Sequence, residues 1–142
     1  MPTSANEGVV LVDTSVAVAL SLADHEHHRV AAKTLRGHRI GLAGHAAFET
    51  FSVLTRLPPP GRRSPAMVEK MLRTNFPETR FLSAKATKGL YGELAKGDIA
   101  GGAIYDALVG AVAREHGLKL ISVDRRARET YRALGIEVEL LG

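Results

Sequence analysis

The sequence of 142 residues contains no cysteine and no tryptophan. The absence of cysteine excludes disulfide bonds and metal sites built on thiolates, and it fits a reducing compartment. No apolar run approaches the roughly 20 residues that a membrane-spanning helix needs. The first basic residue is Arg29, so the basic start of a secretory signal is missing as well. We therefore predict a cytoplasmic protein.

Aromatic residues are scarce, with three tyrosines and four phenylalanines in the whole chain. Proteins that hold nucleic acid on stacked rings present several aromatic side chains along one surface. An aromatic platform of that kind is therefore not predicted to dominate ligand binding here.

The length and the composition indicate one globular domain. A chain of 142 residues can bury one substantial core, and an apolar fraction of 45% is ordinary for such a domain. The sequence contains no repeat, no linker and no low-complexity segment, so we predict a single domain over residues 1–142. Its first residues, 1–7, are polar and are predicted to be flexible.

Short apolar runs alternate with helical segments along the chain. Strands are predicted at 9–12, 39–44, 79–83, 118–123 and 136–141. Helices are predicted over about 15–22, 25–36, 45–57, 65–75, 84–96, 100–116 and 125–134. This alternation predicts an α/β sandwich with a mostly parallel sheet, in which the last strand alternates like an edge strand.

Four acidic residues occupy positions where a folded chain normally has apolar or neutral side chains. Asp13 ends the run VVLVD, and Asp124 ends LKLISVD. Glu49 lies within AAFETFSVL, and Asp106 interrupts IAGGAIYDALVGAVA. A buried carboxylate has to be paired or bind a metal, because burying an isolated charge is costly. The four together predict a carboxylate site for a divalent cation, and oxygen ligands without thiolates favour Mg²⁺ or Mn²⁺.

Asp13 and Asp124 each follow the carboxyl end of a predicted central strand. In open α/β sheets this edge is where ligands bind. Aspartates at strand ends are also common simply as N-caps of the following helix. Taken one at a time, each position is compatible with a cap or with a ligand site.

Asp106 and Glu49 lie on predicted helices. Asp106 is the only charge between Ile99 and Ala113, on a helix that is apolar nearly all round and therefore predicted to be buried. The alternative for Asp106 is a satisfied buried carboxylate that holds a loop. Glu49 lies at the margin of an apolar face, where a surface salt bridge to Arg56 is the alternative.

The charge balance is mildly basic, with 19 lysines and arginines against 15 acidic residues. Setting the four acids aside leaves 11 acidic residues against 19 basic ones, so the rest of the molecule carries about +8. A basic surface around an acidic metal site suits a polyanion such as nucleic acid, although a solubility charge is the alternative. Arg125, Arg126 and Arg128 directly follow Asp124 and could hold RNA phosphates at the rim, or form a solvated helix face.

Four motifs, in this order and spacing, resemble those of the PIN domain family and most of all VapC-type toxins of bacterial toxin–antitoxin pairs. They are LVDTSV, ETFSVLTRL, GDIAGGAIYDALVGAVAREHGLKLISVDRRA and LGIEVE, and they cover nearly the whole chain. The resemblance implies a PIN-like three-layer α/β/α sandwich around a mostly parallel five-stranded sheet. It implies a Mg²⁺- or Mn²⁺-dependent endoribonuclease that forms a homodimer and is blocked by a cognate VapB-type antitoxin.

By position, the acidic quartet of the family falls on Asp13, Glu49, Asp106 and Asp124. We hypothesise that the three aspartates bind metal and that Glu49 binds metal or orients the attacking water. Cleavage would then leave a 5′-phosphate and a 3′-hydroxyl.

Three further residues are predicted to support the quartet. The family uses a hydroxyl near the last acid, and Ser122 occupies that place where threonine is usual; the exchange keeps a donor and an acceptor. Thr14 is predicted to have a similar supporting role. Asp98, in GDIAG, precedes the helix of Asp106 and is expected to be a cap or a supporting group rather than a ligand.

Two other function classes compete with this hypothesis. Phosphatases of the haloacid-dehalogenase type begin with a strand that ends in DxD, but Ser15 stands here in place of the second aspartate. The other alternative is a PIN-like module without catalysis that only binds its antitoxin and nucleic acid. The complete acidic quartet argues against that module.

Overall fold

The computed structural model describes residues 6–142. Most of the segment predicted to be flexible, residues 1–5, lies outside the described residues. Asn6 and Glu7 form a turn, and the side-chain amide of Asn6 donates to the His116 carbonyl oxygen at 3.4 Å. None of the helices in the described range has both the length and the hydrophobicity that crossing a membrane requires.

Four parallel strands form the sheet, in the order β2-β1-β3-β4. They are β1 (Val9–Val12), β2 (Arg39–Leu42), β3 (Leu120–Ser122) and β4 (Val138–Leu140). Every residue of β1 and β3 is buried, as is typical of central strands in a parallel sheet that is covered on both faces. β4 lies at the edge of the sheet, as its alternating sequence predicted.

Helices cover both faces of this sheet. Within residues 6–142 they are α1 (Thr14–Ser21), α2 (His28–Leu35), α3 (His45–Thr55), α4 (Pro65–Asn75), α5 (Ala84–Lys96), α6 (Ala103–His116) and α7 (Arg128–Ala133), with a 3₁₀ turn at Arg125–Ala127. Val9 and Leu11 of β1 pack in one buried cluster with residues of α6 and α7. Val10 and Val12, which face the other way, pack with residues of α1 and α2. The predicted three-layer α/β/α sandwich is therefore confirmed.

Residues 79–83 were predicted to add a fifth strand to the sheet, and this prediction is wrong. The segment makes only one isolated parallel bridge, at Arg80. The Leu42 amide donates to the Thr79 side-chain hydroxyl at 2.9 Å, where a regular ladder would use a backbone carbonyl. Beyond the bridge, Gly44 has a φ of 51° and turns the chain into α3, so the ladder cannot continue. The sheet accordingly has four strands in the described part of the chain.

The helix predicted over 125–134 is divided into two parts. Residues Arg125–Ala127 form a 3₁₀ turn, and α7 follows directly. The Asp124 carboxylate accepts the Arg126 amide at 3.0 Å and so caps this 3₁₀ turn, and 3₁₀ turns are frequent at the start of α-helices. The 3₁₀ turn therefore connects the end of β3 to the start of α7.

Candidate active site

The ends of β1 and β3 bring two of the predicted acids to one edge of the sheet. Asp13 follows β1 and caps α1, its carboxylate accepting the Val16 amide at 3.2 Å. Asp124 follows β3 and caps the 3₁₀ turn. Because β1 and β3 are adjacent and parallel, their carboxyl ends meet at the same edge. Both aspartates are therefore caps, and their cap positions are also what places the carboxylates together.

The other two acids reach the same place from helices. Asp106 lies in the first turn of α6, Glu49 lies in α3, and both are half-buried. Burial raises the pKa of Asp106, and the negative charges of Asp124, Asp13 and Glu49 raise it further, to about 6. Arg126 acts in the opposite direction. An effect of all three acids on one carboxyl means that each of the three lies within electrostatic reach of Asp106.

Glu49 is held by a histidine and not by the arginine considered from the sequence. Its Oε1 lies 3.7 Å from Nε2 of His45, one turn earlier on α3. Burial raises the pKa of Glu49; His45 opposes that rise, and the charge of Asp13 adds to it. The hydroxyl of Thr14 also lowers the pKa of Glu49, although the buried Oγ1 atom of Thr14 makes no hydrogen bond of standard length.

Asp13 is almost completely buried, with 4% of its surface exposed. The Ser15 hydroxyl donates to its Oδ1, and the Tyr131 hydroxyl donates to its Oδ2 at 3.1 Å. Burial raises the pKa of Asp13, and the hydroxyls of Ser122, Ser15 and Tyr131 together with the Val16 amide lower it. Donors on both oxygens stabilise the charged form of a carboxylate that has almost no contact with water.

Two serine hydroxyls join the ends of β1 and β3. Ser122, which was predicted to support the quartet, is buried, and its hydroxyl accepts the Asp124 amide at 3.0 Å. Ser15 accepts the Val123 amide at 3.1 Å, and its Oγ lies 3.4 Å from that of Ser122. The sequence reasoning missed this function of Ser15. Its position two residues after Asp13 was the available signal, because serine often bonds back to a neighbouring polar group.

Tyr131 is a second residue that sequence reasoning missed. Its side chain is buried, and burial followed by the charge of Asp13 raises the pKa of its phenol, so the hydroxyl remains a donor. A Cβ added at Gly110 would lie 3.0 Å from Cδ1 of Tyr131 and 2.2 Å from Cδ1 of Ile136. Gly110 on α6 therefore leaves the space through which this ring reaches Asp13. Nothing local in the sequence indicates a contact across 118 residues.

Replacing Tyr131 with phenylalanine is expected to lower the free energy of unfolding at neutral pH by about 1–3 kcal/mol. The change leaves Oδ2 of the buried Asp13 without its donor. Urea denaturation measures the effect, and Tyr91→Phe is the matched control because Tyr91 is 78% exposed. The control should change stability by less than about 0.5 kcal/mol. Equal unfolding midpoints for both variants would show that the hydrogen bond to Asp13 contributes nothing.

Of the remaining predicted residues, Arg126 joins the site. Its Nε lies 3.2 Å from Oδ1 of Asp124, on a side chain that is 93% exposed. Arg125 instead donates from Nη2 to the Gly142 carbonyl oxygen at 3.2 Å, and Arg128 is exposed at the start of α7. Asp98 is exposed in the turn after α5 with a φ of 53°, a conformation that aspartate tolerates. It does not contribute to the shift at Asp106.

The donor set at this edge suits a hard divalent cation. It consists of carboxylate and hydroxyl oxygens; the charges of Asp124, Asp13 and Glu49 raise the pKa of Asp106, and the charge of Asp13 raises that of Glu49. Asp13, Asp106, Asp124 and Glu49 are the residues that could hold such an ion. Within residues 6–142, however, no three histidine, aspartate or glutamate side chains already converge closely enough to enclose one. The four acids are gathered at one edge, but they are not drawn together around a point.

An apolar groove of about 780 Å³ lies elsewhere, between α3 and α4. Its lining includes Phe48, Phe51, Leu72 and Phe76, and it includes none of the four acids. The candidate active site is therefore the acidic edge of the sheet and not this groove.

Comparison with known proteins identifies the family of this chain and several relatives. Residues 10–133 match the PIN domain family. Ribonuclease VapC40 of Mycobacterium tuberculosis is 46% identical over 136 residues, which covers 94% of this chain and 99% of the relative.

Two solved structures have a similar fold. The crystal structure of VapC20 of Mycobacterium tuberculosis, described as a sarcin-ricin loop cleaving toxin, has a TM-score of 0.68 at 23% identity and covers 89% of this chain and 95% of its own. VapBC2 of Rickettsia felis, bound to a DNA fragment from its promoter, has a TM-score of 0.67 at 15% identity, covering 93% and 98%. At these identities the likeness shows the fold alone.

Proposed function

This chain belongs to the PIN domain family and is of the VapC type, and on that premise we propose that it is an endoribonuclease toxin of a toxin–antitoxin pair. The observation that carries the proposal is the electrostatic coupling of Asp13, Glu49, Asp106 and Asp124 at one edge of the sheet. The 46% identity to a relative named as a ribonuclease supports RNA as the substrate. The basic remainder of the molecule, about +8 without the quartet, suits a polyanion.

We propose that the cofactor is Mg²⁺ or Mn²⁺, held by Asp13, Asp106 and Asp124. Glu49 either completes the ligand set or orients the attacking water. When bound, such an ion lowers the pKa of water and neutralises charge on a phosphodiester. Attack of water on phosphorus breaks the bond to the 3′-oxygen, so the products carry a 5′-phosphate and a 3′-hydroxyl.

The supporting residues keep the ligands in position. Tyr131 and Ser15 each donate to one oxygen of Asp13, which fixes the plane of its carboxylate. Ser122 accepts the Asp124 amide and so fixes the start of the 3₁₀ turn. Partners that orient metal ligands typically affect metal affinity or activity by about 10–100-fold. Arg126 balances part of the negative charge beside Asp124.

We also propose that the protein acts in the cytoplasm as a homodimer and that a VapB-type antitoxin blocks its site. The similar fold of a VapBC2 assembly supports an antitoxin partner. Exposed apolar side chains support protein contacts, since Phe48 is 64%, Met67 60% and Phe81 55% exposed. Light scattering of the isolated protein tests the dimer, and co-expression with the neighbouring gene product tests the antitoxin.

Removal of metal is expected to abolish RNA cleavage. The assay incubates antitoxin-free protein with total cellular RNA in Mg²⁺, in Mn²⁺ or in EDTA. Discrete fragments should appear with either ion and disappear with EDTA, because the uncompensated carboxylates repel a phosphodiester. Excess Mg²⁺ added after EDTA should restore cleavage, which controls for irreversible unfolding.

Two results would contradict the proposal. Hydrolysis of a small phosphomonoester, with RNA left intact, would indicate a phosphatase. Failure to cut any RNA with either ion, while the protein binds RNA or its antitoxin, would indicate the binding module without catalysis.

A further inference from the structure

A pair of stacked rings lies at the rim of the acidic quartet. The rings of His45 and Tyr105 have centroids 5.2 Å apart and planes inclined by 20°. Tyr105 precedes Asp106 on α6, and His45 lies one turn before Glu49 on α3, in contact with it. The pair therefore spans the space between the two helices that supply these acids.

Tyr105 is 52% exposed, whereas the part of α6 that follows it, residues 107–113, is mostly apolar and buried. Tyrosine is enriched where proteins contact their partners, because its ring is apolar and its hydroxyl is polar. Contact with His45 on one side restricts the rotation of Tyr105 and leaves the remaining surface of the ring accessible. A ring that is already fixed loses less conformational entropy when a ligand binds to it.

We propose that the His45–Tyr105 pair stacks a nucleobase of the RNA next to the phosphate at the quartet; this inference rests on the proposed function. His45 contacts both Glu49 and Tyr105, which places the pair of rings beside the quartet. Single-stranded RNA is commonly held by bases stacked on tyrosine and histidine rings. Stacking tolerates any base, so the pair positions the RNA without specifying its sequence.

The charges around the pair favour a base over a phosphate as the group bound there. Glu49 lies beside His45, and Asp106 follows Tyr105, so further phosphates would be repelled at this rim. An uncharged base face does not meet that repulsion. Because the pair lies beside both acids, RNA bound at the quartet is favoured as its ligand over a protein partner. A protein partner would find a more apolar surface at the exposed rings of Phe48 and Phe81, whose centroids lie 6.3 Å apart.

Fluorescence tests the contact directly, because the chain contains no tryptophan. The Tyr105→Trp variant therefore carries a single reporter. It is mixed in Mg²⁺ with a single-stranded RNA dodecamer of mixed sequence, and emission is read in the first second, before cleavage. A base that stacks should quench the emission, and an abasic ribose-phosphate chain of equal length should not. Tyr91→Trp, at an exposed position on α5, is the matched control and should respond to neither.

Kinetics on RNA provide a second readout. Tyr105→Ala is expected to raise KM by about 5- to 150-fold, the range that corresponds to the loss of one base stack, with kcat close to wild type. Tyr105→Phe should keep the wild-type KM, because phenylalanine retains the ring face. Tyr91→Ala should also keep it.

The outcomes separate this inference from the proposed function. Normal cleavage by Tyr105→Ala, with a reporter that RNA does not quench, would overturn the stacking site and leave the nuclease standing. Quenching by RNA but not by the abasic chain, in a protein that cuts nothing, would support the stacking site and refute the nuclease. Loss of the dimer or of antitoxin binding in Tyr105→Ala, with KM unchanged, would assign the pair to a protein contact and overturn the inference.

Discussion

Replacing Asp106 with asparagine is expected to reduce RNA cleavage by more than about 100-fold while leaving the metal-free protein at least as stable as the wild type. Changes in residues that merely orient metal ligands reduce activity by about 10–100-fold, so loss of a ligand should exceed that range. The asparagine has nearly the same shape, and it removes one of the mutually repelling charges of the quartet. Residues selected for function often reduce stability in this way.

The stability difference between Asp106→Asn and wild type should depend on pH. The pKa of Asp106 in the folded protein, about 6, lies above the ordinary value of 3.8. The stabilisation from protonated Asp106 is therefore complete below about pH 3.8 and is lost as pH rises through about 6. An asparagine at position 106 cannot ionise, so the variant keeps this stabilisation as the pH rises. Because the carboxyl is half-exposed and screened by solvent, the resulting advantage of the variant at pH 7.5 is about 1 kcal/mol.

Urea denaturation in EDTA at pH 4.5 and pH 7.5 measures this difference, and cleavage of total RNA in Mg²⁺ measures the activity. Added Mg²⁺ should stabilise the wild type more than the variant, since the ion binds the folded quartet. Cleavage by Asp106→Asn at the wild-type rate would remove Asp106 from the mechanism. A variant that is less stable at pH 7.5 would show that the carboxylate holds the structure together.

Replacing Gly41 with alanine is expected to lower the free energy of unfolding by about 3 kcal/mol or more. A Cβ at this position of β2 would lie 2.1 Å from the carbonyl carbon and oxygen of Glu78 and 2.4 Å from the Thr79 nitrogen. These are backbone atoms, so the clash cannot be relieved by rotating a side chain, and the segment after α4 has to move away from β2. The effect belongs to the upper end of those caused by overpacking.

Gly89→Ala is the matched control for this substitution. Gly89 lies in α5, and a Cβ there would have no atom within 4 Å, so alanine should stabilise the helix by about 0.5–1 kcal/mol. The two glycine-to-alanine changes are thus expected to have opposite signs in the same urea titration. An unchanged midpoint for Gly41→Ala would mean that the Glu78–Thr79 backbone does not lie against β2.

Much of the fold and of the quartet was predictable because it depends on short-range patterns. The run VVLV and the strand Leu120–Ser122 within LKLISV are buried on both faces of a parallel sheet, and such strands appear in a sequence as mostly apolar segments. An aspartate directly after each run has to lie at the carboxyl edge of the sheet. Asp106 could also be recognised from the sequence alone, as the single charge in a helix of mostly small residues. The motif resemblance to the PIN domain family is confirmed by the match over residues 10–133.

The predicted fifth strand shows where this local information ends. Residues 79–83 have a suitable composition, but whether they extend the sheet depends on how Gly44 and Thr79 meet the end of β2. Those contacts join segments that are far apart along the chain. The sequence pattern could therefore indicate a strand at 79–83, but the hydrogen bonds available beside β2 allow this segment only one bridge to the sheet.

By itself, then, the sequence determined the order of strands and helices, the family and the position of the four acids, because each follows from hydrophobic periodicity or from a contiguous motif. Only the tertiary structure decided which residues outside the quartet lie against those acids. Ser15 spans to the end of β3, Tyr131 reaches Asp13 across 118 residues, and His45 stacks on Tyr105. Such contacts have no period and no fixed spacing, because they arise only when separate elements pack together.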